Sequence, residues 1–570
     1  MASERIVIDP ITRIEGHLRI ELEAEGGRVK NAWACATQFR GIETILQGRD
    51  PRDAWAFAQR ICGVCTGVHA IASVRAVEDA IKCRIPECAE LIRNLVSGMA
   101  TLQDHVMHFY HLHALDWVDV MSALSADPVA TSRLAASVSP WPNNSATWFQ
   151  EVRQRVSQSS KGGLGIFANG YWGHPAYRLS PEANLMALAH YLEALKWQRE
   201  IIRLHTIFAG KNPHPNYLVG GMACAINLDN QLTVNQVRLD EIGQTVAQAR
   251  RFVEEVYYPD VVAIAGFYPE YASIGASSPT LLATGESGFS CSGTPAGAMR
   301  AGLLVNADYR TLQPFDPKKI EEFVSSAWYA YPEGDKQGLH PWRGRTDPSY
   351  NGPVPPFRQL SDRPKYTWCK APRYEGRAVQ VGPNARVMVA CAQGHAETVQ
   401  LANQGLAKLG AGVEALNSTL GRTYCRALES VIVSRRMEQW LDALQERIKS
   451  GDISTFNPEH WEPESWPREA QGVGFMEAAR GTLSHWVTIE KGKIAHYQCV
   501  VPSTWNSSGR DPEGQLGPFE HALAAGGAHP LADPNRPIEV LRTVHSFDPC
   551  ESCAVHVVSP GGTRIEVKAQ

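Results

Sequence analysis

Two Cys-x-x-Cys pairs stand near opposite ends of this 570-residue chain, Cys62-Gly-Val-Cys65 and Cys550-Glu-Ser-Cys553. A two-residue gap lets both sulfurs of a pair face one ion, so the two pairs together can present four thiolates. Zinc ribbons set their pairs roughly 15–20 residues apart, whereas here almost the whole chain lies between them. A site built from both pairs would oblige the fold to bring its two ends together. Each pair has a nearby imidazole, His69 and His556. Soft thiolates with imidazole neighbours suit nickel, iron or zinc, and spacing does not choose among them. At this level a tetrathiolate metal site and two unrelated pairs both stand.

The remaining cysteines are isolated, and the total of thirteen is odd. That pattern argues against a disulfide framework and for small buried hydrophobes. Lys+Arg of 55 against Asp+Glu of 59 gives a net charge of −4, which offers no footprint for nucleic acid or an anionic membrane. No window approaches eighteen consecutive apolar residues, and the first residues lack the pattern of a secretory signal. The expectation is a soluble globular chain whose export would be arranged by a partner.

At about 150 residues per domain the length alone would suggest three or four domains. No flexible linker or internal repeat divides the chain, so the expected fold is mainly α with small β lobes around a large helical bundle core. The first 35 residues alternate like a hairpin lobe turning at Gly26-Gly27. Asp50 is placed to cap a helix with Pro51 in its first position. Leu91, Leu95, Met99, Leu102, Val106, Phe109, Leu112 and Trp117 recur at three or four residues and predict the longest helix over 87–125. Further helices are predicted at 181–209, 232–257, 316–328, 396–408 and 419–450. A second hairpin is predicted over 486–501, turning at Glu490-Lys-Gly-Lys. His105, His108, His111 and His113 look like a metal cluster, but without a carboxylate or cysteine at matching spacing they read as core or interface histidines.

Several strings then carry a resemblance. Arg60-Ile-Cys62-Gly-Val-Cys65-Thr-Gly-Val-His69 and Asp548-Pro-Cys550-Glu-Ser-Cys553-Ala-Val-His556 resemble the two signatures of the nickel–iron hydrogenase large subunit. Asp9-Pro-Ile-Thr-Arg-Ile-Glu15-Gly-His, Phe39-Arg-Gly-Ile-Glu43, Gly48-Arg-Asp-Pro-Arg-Asp-Ala-Trp55, Asp104-His-Val-Met-His-Phe-Tyr, Asn169-Gly-Tyr-Trp-Gly-His-Pro, Ala479-Arg480-Gly and Val501-Pro-Ser-Thr-Trp-Asn follow in family order. The segment 274–300 fits the pattern poorly.

The resemblance implies a buried nickel–iron centre, with Cys62 and Cys550 terminal on nickel and Cys65 and Cys553 bridging to an iron that carries carbonyl and cyanide. Heterolytic cleavage of dihydrogen then needs exits for protons and electrons. Glu15 would be the first proton relay; on its residues alone, a salt bridge to Arg13 or a hairpin surface charge is the plainer reading. Arg480 would face the open metal position, oriented by Asp104 and Asp548. The family usually has proline before this arginine, where Ala479 stands here, and that frees the local backbone. His69 would hydrogen-bond a bridging sulfur. Ser503, in Val501-Pro502-Ser503, would donate to cyanide. Glu43, His556 and the Cys499 carbonyl match a separate site, usually magnesium.

No other closely spaced cysteines could hold iron–sulfur clusters in this chain. The resemblance therefore implies an iron–sulfur small subunit as heterodimer partner, with His214 facing its nearest cluster. It also implies a membrane cytochrome b as electron acceptor and a periplasm-facing position reached by co-export, with a cytoplasmic location as the alternative. Residues 1–556 would form one catalytic unit. Residues 557–570 would be a tail removed by a maturation protease after nickel-insertion chaperones have acted. The other readings are a hydrogen sensor, which typically lacks the tail; a non-catalytic quinone-pocket relative, which generally lacks the four cysteines; and a zinc-stabilised structural protein.

Overall fold

A computed structural model describes residues 4–168, 170–285, 301–353 and 358–554. Its largest core is helical. The helix Thr419–Lys449 is buried on every side from Thr419 to Ser434 and runs against Glu87–Met107, Gln236–Phe252 and Pro383–Ala392. Its start is set by Ser418, whose hydroxyl accepts the Gly421 amide at 3.0 Å, satisfying a donor the first turn would leave open.

Glu4–Ile8, Leu18–Glu25 and Arg28–Ala36 form an antiparallel sheet. Its apolar face packs on Phe519, Leu523, Val540, Val544 and Phe547, so the first strands are cored by the last helices. That pairing of chain ends is the arrangement a shared four-cysteine site requires.

A second antiparallel sheet joins Glu469–Ala478, Gly481–Glu490 and Lys493–Val500. The helix Thr66–Ile81 lies directly on its first strand. A Cβ on Gly472 would come within 2.1 Å of the Ala76 carbonyl oxygen, and one on Gly474 within 2.0 Å of that of Ala72. Glycine on the strand and alanine on the helix are what permit this approach, which fixes the helix whose first residue follows Cys65.

The structure alters three expectations. The 87–125 helix ends regularly at Met107, continues as a π turn over His108–His113, and then breaks into short 3-10 turns. Side chains pull the backbone open there. The His108 ring nitrogen Nε2 bonds the His545 carbonyl at 2.6 Å, and the Trp117 indole donates to His113 Nε2 at 2.9 Å. Thr419–Lys449 is therefore the longer helix, at 31 residues against 21. The predicted helix at 316–328 is instead a turn, Pro317–Lys319, followed by the strand Ile320–Phe323 paired with Ala371–Tyr374. Its buried Ile320 and Glu322 alternate with exposed Glu321, a period of two that the charges concealed. The second hairpin gains a third strand, Glu469–Ala478, that the sequence reading did not anticipate. Asp50 caps as expected, accepting the Arg52 amide at 2.9 Å, though the element it opens is a short 3-10 turn.

Candidate metal centre

Cys62 ends the turn Gln59–Ile61 in an extended conformation, and its sulfur accepts the amides of Val64 and Cys65, each at 3.2 Å. Cys65 is the N-cap of Thr66–Ile81. Amide donors on one sulfur and a helix N-terminus at the other both favour thiolate over thiol.

Cys550 reaches the same place from the other end of the chain. Its Sγ lies 3.3 Å from Cys62 Sγ and 3.9 Å from Cys65 Sγ, and the three sulfurs fall within 4.8 Å of one another, all buried. Three soft donors converging in a dry site fit a thiophilic metal. Cys553 is carried on the short helix that follows Cys550, Glu551–Ala554; its side chain lies outside the described residues, as do His556 and the 557–570 tail.

Glu15 is bound to this segment. Its backbone bridges Cys550 in parallel register, and its carbonyl accepts the Glu551 amide at 2.8 Å. Its carboxylate Oε2 takes the Cys550 thiol at 3.2 Å and the Ser552 amide at 3.2 Å. Burial, followed by the charge of Cys62, raises its pKa above the ordinary carboxylate range, which suits a proton carrier. Arg13 turns away: it donates to the Leu112 carbonyl at 2.6 Å and to Asp116 Oδ1 at 2.5 Å. The salt-bridge reading of Glu15 is thereby set aside.

Arg480 is buried between the two expected aspartates. Its Nη2 is 3.0 Å from Asp548 Oδ1 and its Nη1 3.6 Å from Asp104 Oδ2, while Nε donates to the Asp548 carbonyl at 3.1 Å. Burial opposes the charge, but Asp548, Cys550 and Asp104 more than offset it, so Arg480 stays protonated. Burial pushes Asp104 up to about 7 against the pull of Arg480. Asp548 itself sits at φ 59, a strained value for a side-chain-bearing residue.

Ser503, just after Val501 and Pro502 at the start of the helix Pro502–Asn506, accepts the Cys550 amide at 3.1 Å. Its own hydroxyl proton can then be donated elsewhere. His69 Nδ1 shares a 3.1 Å hydrogen bond with His485 Nε2, and the chain continues through Tyr497 to Ser73. This buried chain of hydrogen bonds was missed in the sequence, where nothing local links the four residues.

Of the candidate magnesium residues, Glu43 and Cys499 lie together: Glu43 is buried, accepts the Cys499 amide at 2.8 Å and takes the Thr346 hydroxyl. Lys370 and Gln498, 2.7 Å apart, and buried Glu322 extend this polar pocket. Carboxylate, carbonyl and amide oxygens are the donor type a hard cation takes. His214 lies at the surface beside the first pair, its amide donating to Thr66 Oγ1 at 3.1 Å.

The four clustered histidines bond core and neighbouring groups, as expected. His105 binds Glu429, His108 the His545 carbonyl and His111 the Tyr191 carbonyl. His113 does acquire a carboxylate, contrary to the sequence reading: Asp116, three residues on, bonds both His113 and His545. Arg13 occupies its other oxygen, so hydrogen bonds account for this cluster. Glu551, also missed, is buried beside Cys550, and burial with Glu15 nearby pushes it up to about 8.

Comparison with known proteins follows the same lines. The family model described as nickel-dependent hydrogenase matches residues 40–556, and a HoxL-like model matches 5–39. The chain is 50% identical to the uptake hydrogenase large subunit of Bradyrhizobium diazoefficiens, covering 99% of this chain and 97% of that one. It is 47% identical to the hydrogenase-1 large chain of Escherichia coli K12, with coverages of 99% and 97%. Among solved structures, the as-isolated oxidised Ni-Fe-Se hydrogenase of D. vulgaris Hildenborough superposes with a TM-score of 0.76 at 32% identity, covering 97% of this chain and 100% of that chain.

Proposed function

Because the chain belongs to the nickel-dependent hydrogenase family, we propose that Cys62, Cys65, Cys550 and Cys553 hold a nickel–iron pair and that the protein oxidises dihydrogen to protons and electrons as the large subunit of an uptake enzyme. The observation that carries this reading is the meeting of Cys62, Cys65 and Cys550 with Glu15 bonded to the Cys550 sulfur. Bound there, the metal pair supplies the redox and Lewis-acid chemistry that cleaves dihydrogen.

The protein's own groups do the rest. Glu15, 3.2 Å from Cys550 Sγ, receives the proton at Oε2 and passes it outward; a raised pKa keeps both of its forms accessible. Arg480, fixed between Asp104 and Asp548, places permanent positive charge where negative charge develops. Ser503 with the Val501-Pro502 segment would hold the cyanide ligands by donating a hydrogen bond, and Glu43 with Cys499 and His556 would hold magnesium.

Electrons leave past Thr66 and His214, where Arg60, Gly63 and Val64 are exposed at the first pair. An iron–sulfur small subunit docks on that face, and a membrane cytochrome b accepts the electrons on the periplasmic side after co-export. Residues 1–556 act as one catalytic unit, and 557–570 form a tail cleaved after metal insertion. The sensor reading is disfavoured by that tail.

The test is metal analysis with infrared spectroscopy of the protein purified with its small subunit. Nickel and iron near one each, with sharp carbonyl and cyanide bands and hydrogen-dependent dye reduction, support the reading. Zinc alone in a protein whose tail has been removed would overturn it.

A further inference from the structure

Arg386, in the helix Pro383–Ala392, is 1% exposed and lies outside every motif discussed above. An arginine has five N–H donors, and here each has an acceptor. Nε donates to Glu429 Oε1 at 2.5 Å and Nη2 to Glu429 Oε2 at 2.7 Å, a bidentate pair. Nη1 donates to Glu477 Oε2 at 2.9 Å. The last two donors go to backbone: Nη1 to the Ala478 carbonyl at 2.8 Å and Nη2 to the Ala479 carbonyl at 3.2 Å. These are the two peptide groups immediately before Arg480.

The clamp is itself anchored on both sides. Glu429 Oε2 also takes His105 Nε2 at 2.6 Å, and His105 adjoins Asp104, which faces Arg480 from the long helix. Although burial opposes its charge, Arg386 and His105 hold the Glu429 carboxyl down to about 2. Glu477 Oε1 in turn accepts the Thr284 amide at 2.6 Å and the Thr482 hydroxyl at 2.7 Å, tying both strands of the hairpin that carries Arg480. Alanine at 478 and 479 imposes no constraint of its own on the turn.

We propose that Arg386 is a positioning residue for Arg480: it fixes the Ala478 and Ala479 carbonyls, and through Glu429 and His105 the helix bearing Asp104, so that the Arg480 guanidinium is aimed at the metal pair from both its backbone and its carboxylate partners. This rests on the reading of Arg480 as the cation facing that pair. A lysine at 386 keeps the charge, but its single ammonium cannot meet Glu429 bidentately and both carbonyls at once.

The test uses the large–small subunit complex carrying Arg386→Lys, Arg480→Lys, or both. Three measurements are made: infrared spectra, kcat and KM for hydrogen, and a crystal structure of the R386K complex. The expected result for R386K is unchanged nickel content, cyanide bands shifted in the direction seen in R480K, and the Arg480 guanidinium displaced in the crystal. kcat should fall about 10-fold, as loss of positioning produces, with KM within twofold. In the double variant the second substitution adds nothing, because both act through one group; a merely structural role would make the losses multiply. Should R386K fail to assemble, Glu477→Gln loosens the same clamp, with the same band shift and about a threefold loss in kcat expected.

Bands and kcat unaltered in R386K, or in E477Q where that variant substitutes, while R480K changes them would overturn the role of Arg386 and leave that of Arg480 standing. If R480K itself changes neither, or the unsubstituted complex shows no carbonyl and cyanide bands, the reading of Arg480 falls and the proposal falls with it.

Discussion

Glu15 and Cys550 lie 535 residues apart and meet 3.2 Å apart through carboxylate and sulfur. Their backbones also pair in parallel. The carboxyl proposed as proton carrier is thus held by the same short segment that carries a sulfur proposed to bind the metal pair, so that moving one displaces the other.

Replacing Glu15 by Gln keeps the shape and the acceptor for the Ser552 amide but removes the group that takes up a proton. Dye reduction under hydrogen should fall by about 100-fold or more, the usual range for losing a general base, with nickel content unchanged. A loss of less than fivefold would point to a different proton exit.

Gly16 is at φ +83, and a Cβ there would lie 2.5 Å from the Ser552 amide nitrogen. Gly16→Ala should cost about 1–3 kcal/mol in backbone strain and push the 551–554 helix off its seat. Thermal denaturation together with nickel content checks this: both should drop, while a substitution at solvent-exposed Gly376, also at positive φ, should leave nickel in place.

Asp116 joins Arg13, His113 and His545, and all four are largely or wholly buried. Asp116→Ala leaves a buried guanidinium without its partner, a loss of about 3–5 kcal/mol for a broken buried pair. Chemical denaturation of the purified complex measures it. Because Arg13 and Thr12 hang from this cluster two or three residues before Glu15, the variant should also slow proton release.

Burial lowers His529 from 6.5 to about 4, and His111 likewise. The folded protein then binds fewer protons than the unfolded chain between those values. The stability these residues contribute is complete above pH 6.5 and is lost as pH falls toward 4. His529→Gln should remove up to about 3 kcal/mol of that acid dependence. Denaturation midpoints across pH 7 to 4 test it: a parallel curve for the variant would show that His529 does not stay neutral when folded.

Local signals were legible where chemistry and structure share a short stretch of chain. The Cys-x-x-Cys spacings and the strand alternation in the first 35 residues both have that character, whereas Glu15 stood out only through the family resemblance. The failures have more than one origin. The 316–328 segment carries a period of two that its charges concealed and pairs with 371–374. The 87–125 helix opens where His108 finds a distant partner at 545 and His113 finds near ones at 116 and 117.

The sequence by itself determined two pairs of soft donors, leaving open both the ion and whether the pairs meet, and its motif order pointed to the family. Only the tertiary structure decided how those donors are held: Glu15 against Cys550, Arg13 turned to Asp116, and Arg386 clamped onto the two peptides before Arg480. These are contacts between segments distant in sequence. Their geometry depends on how helices and sheets pack in three dimensions, which no periodicity within a single segment encodes.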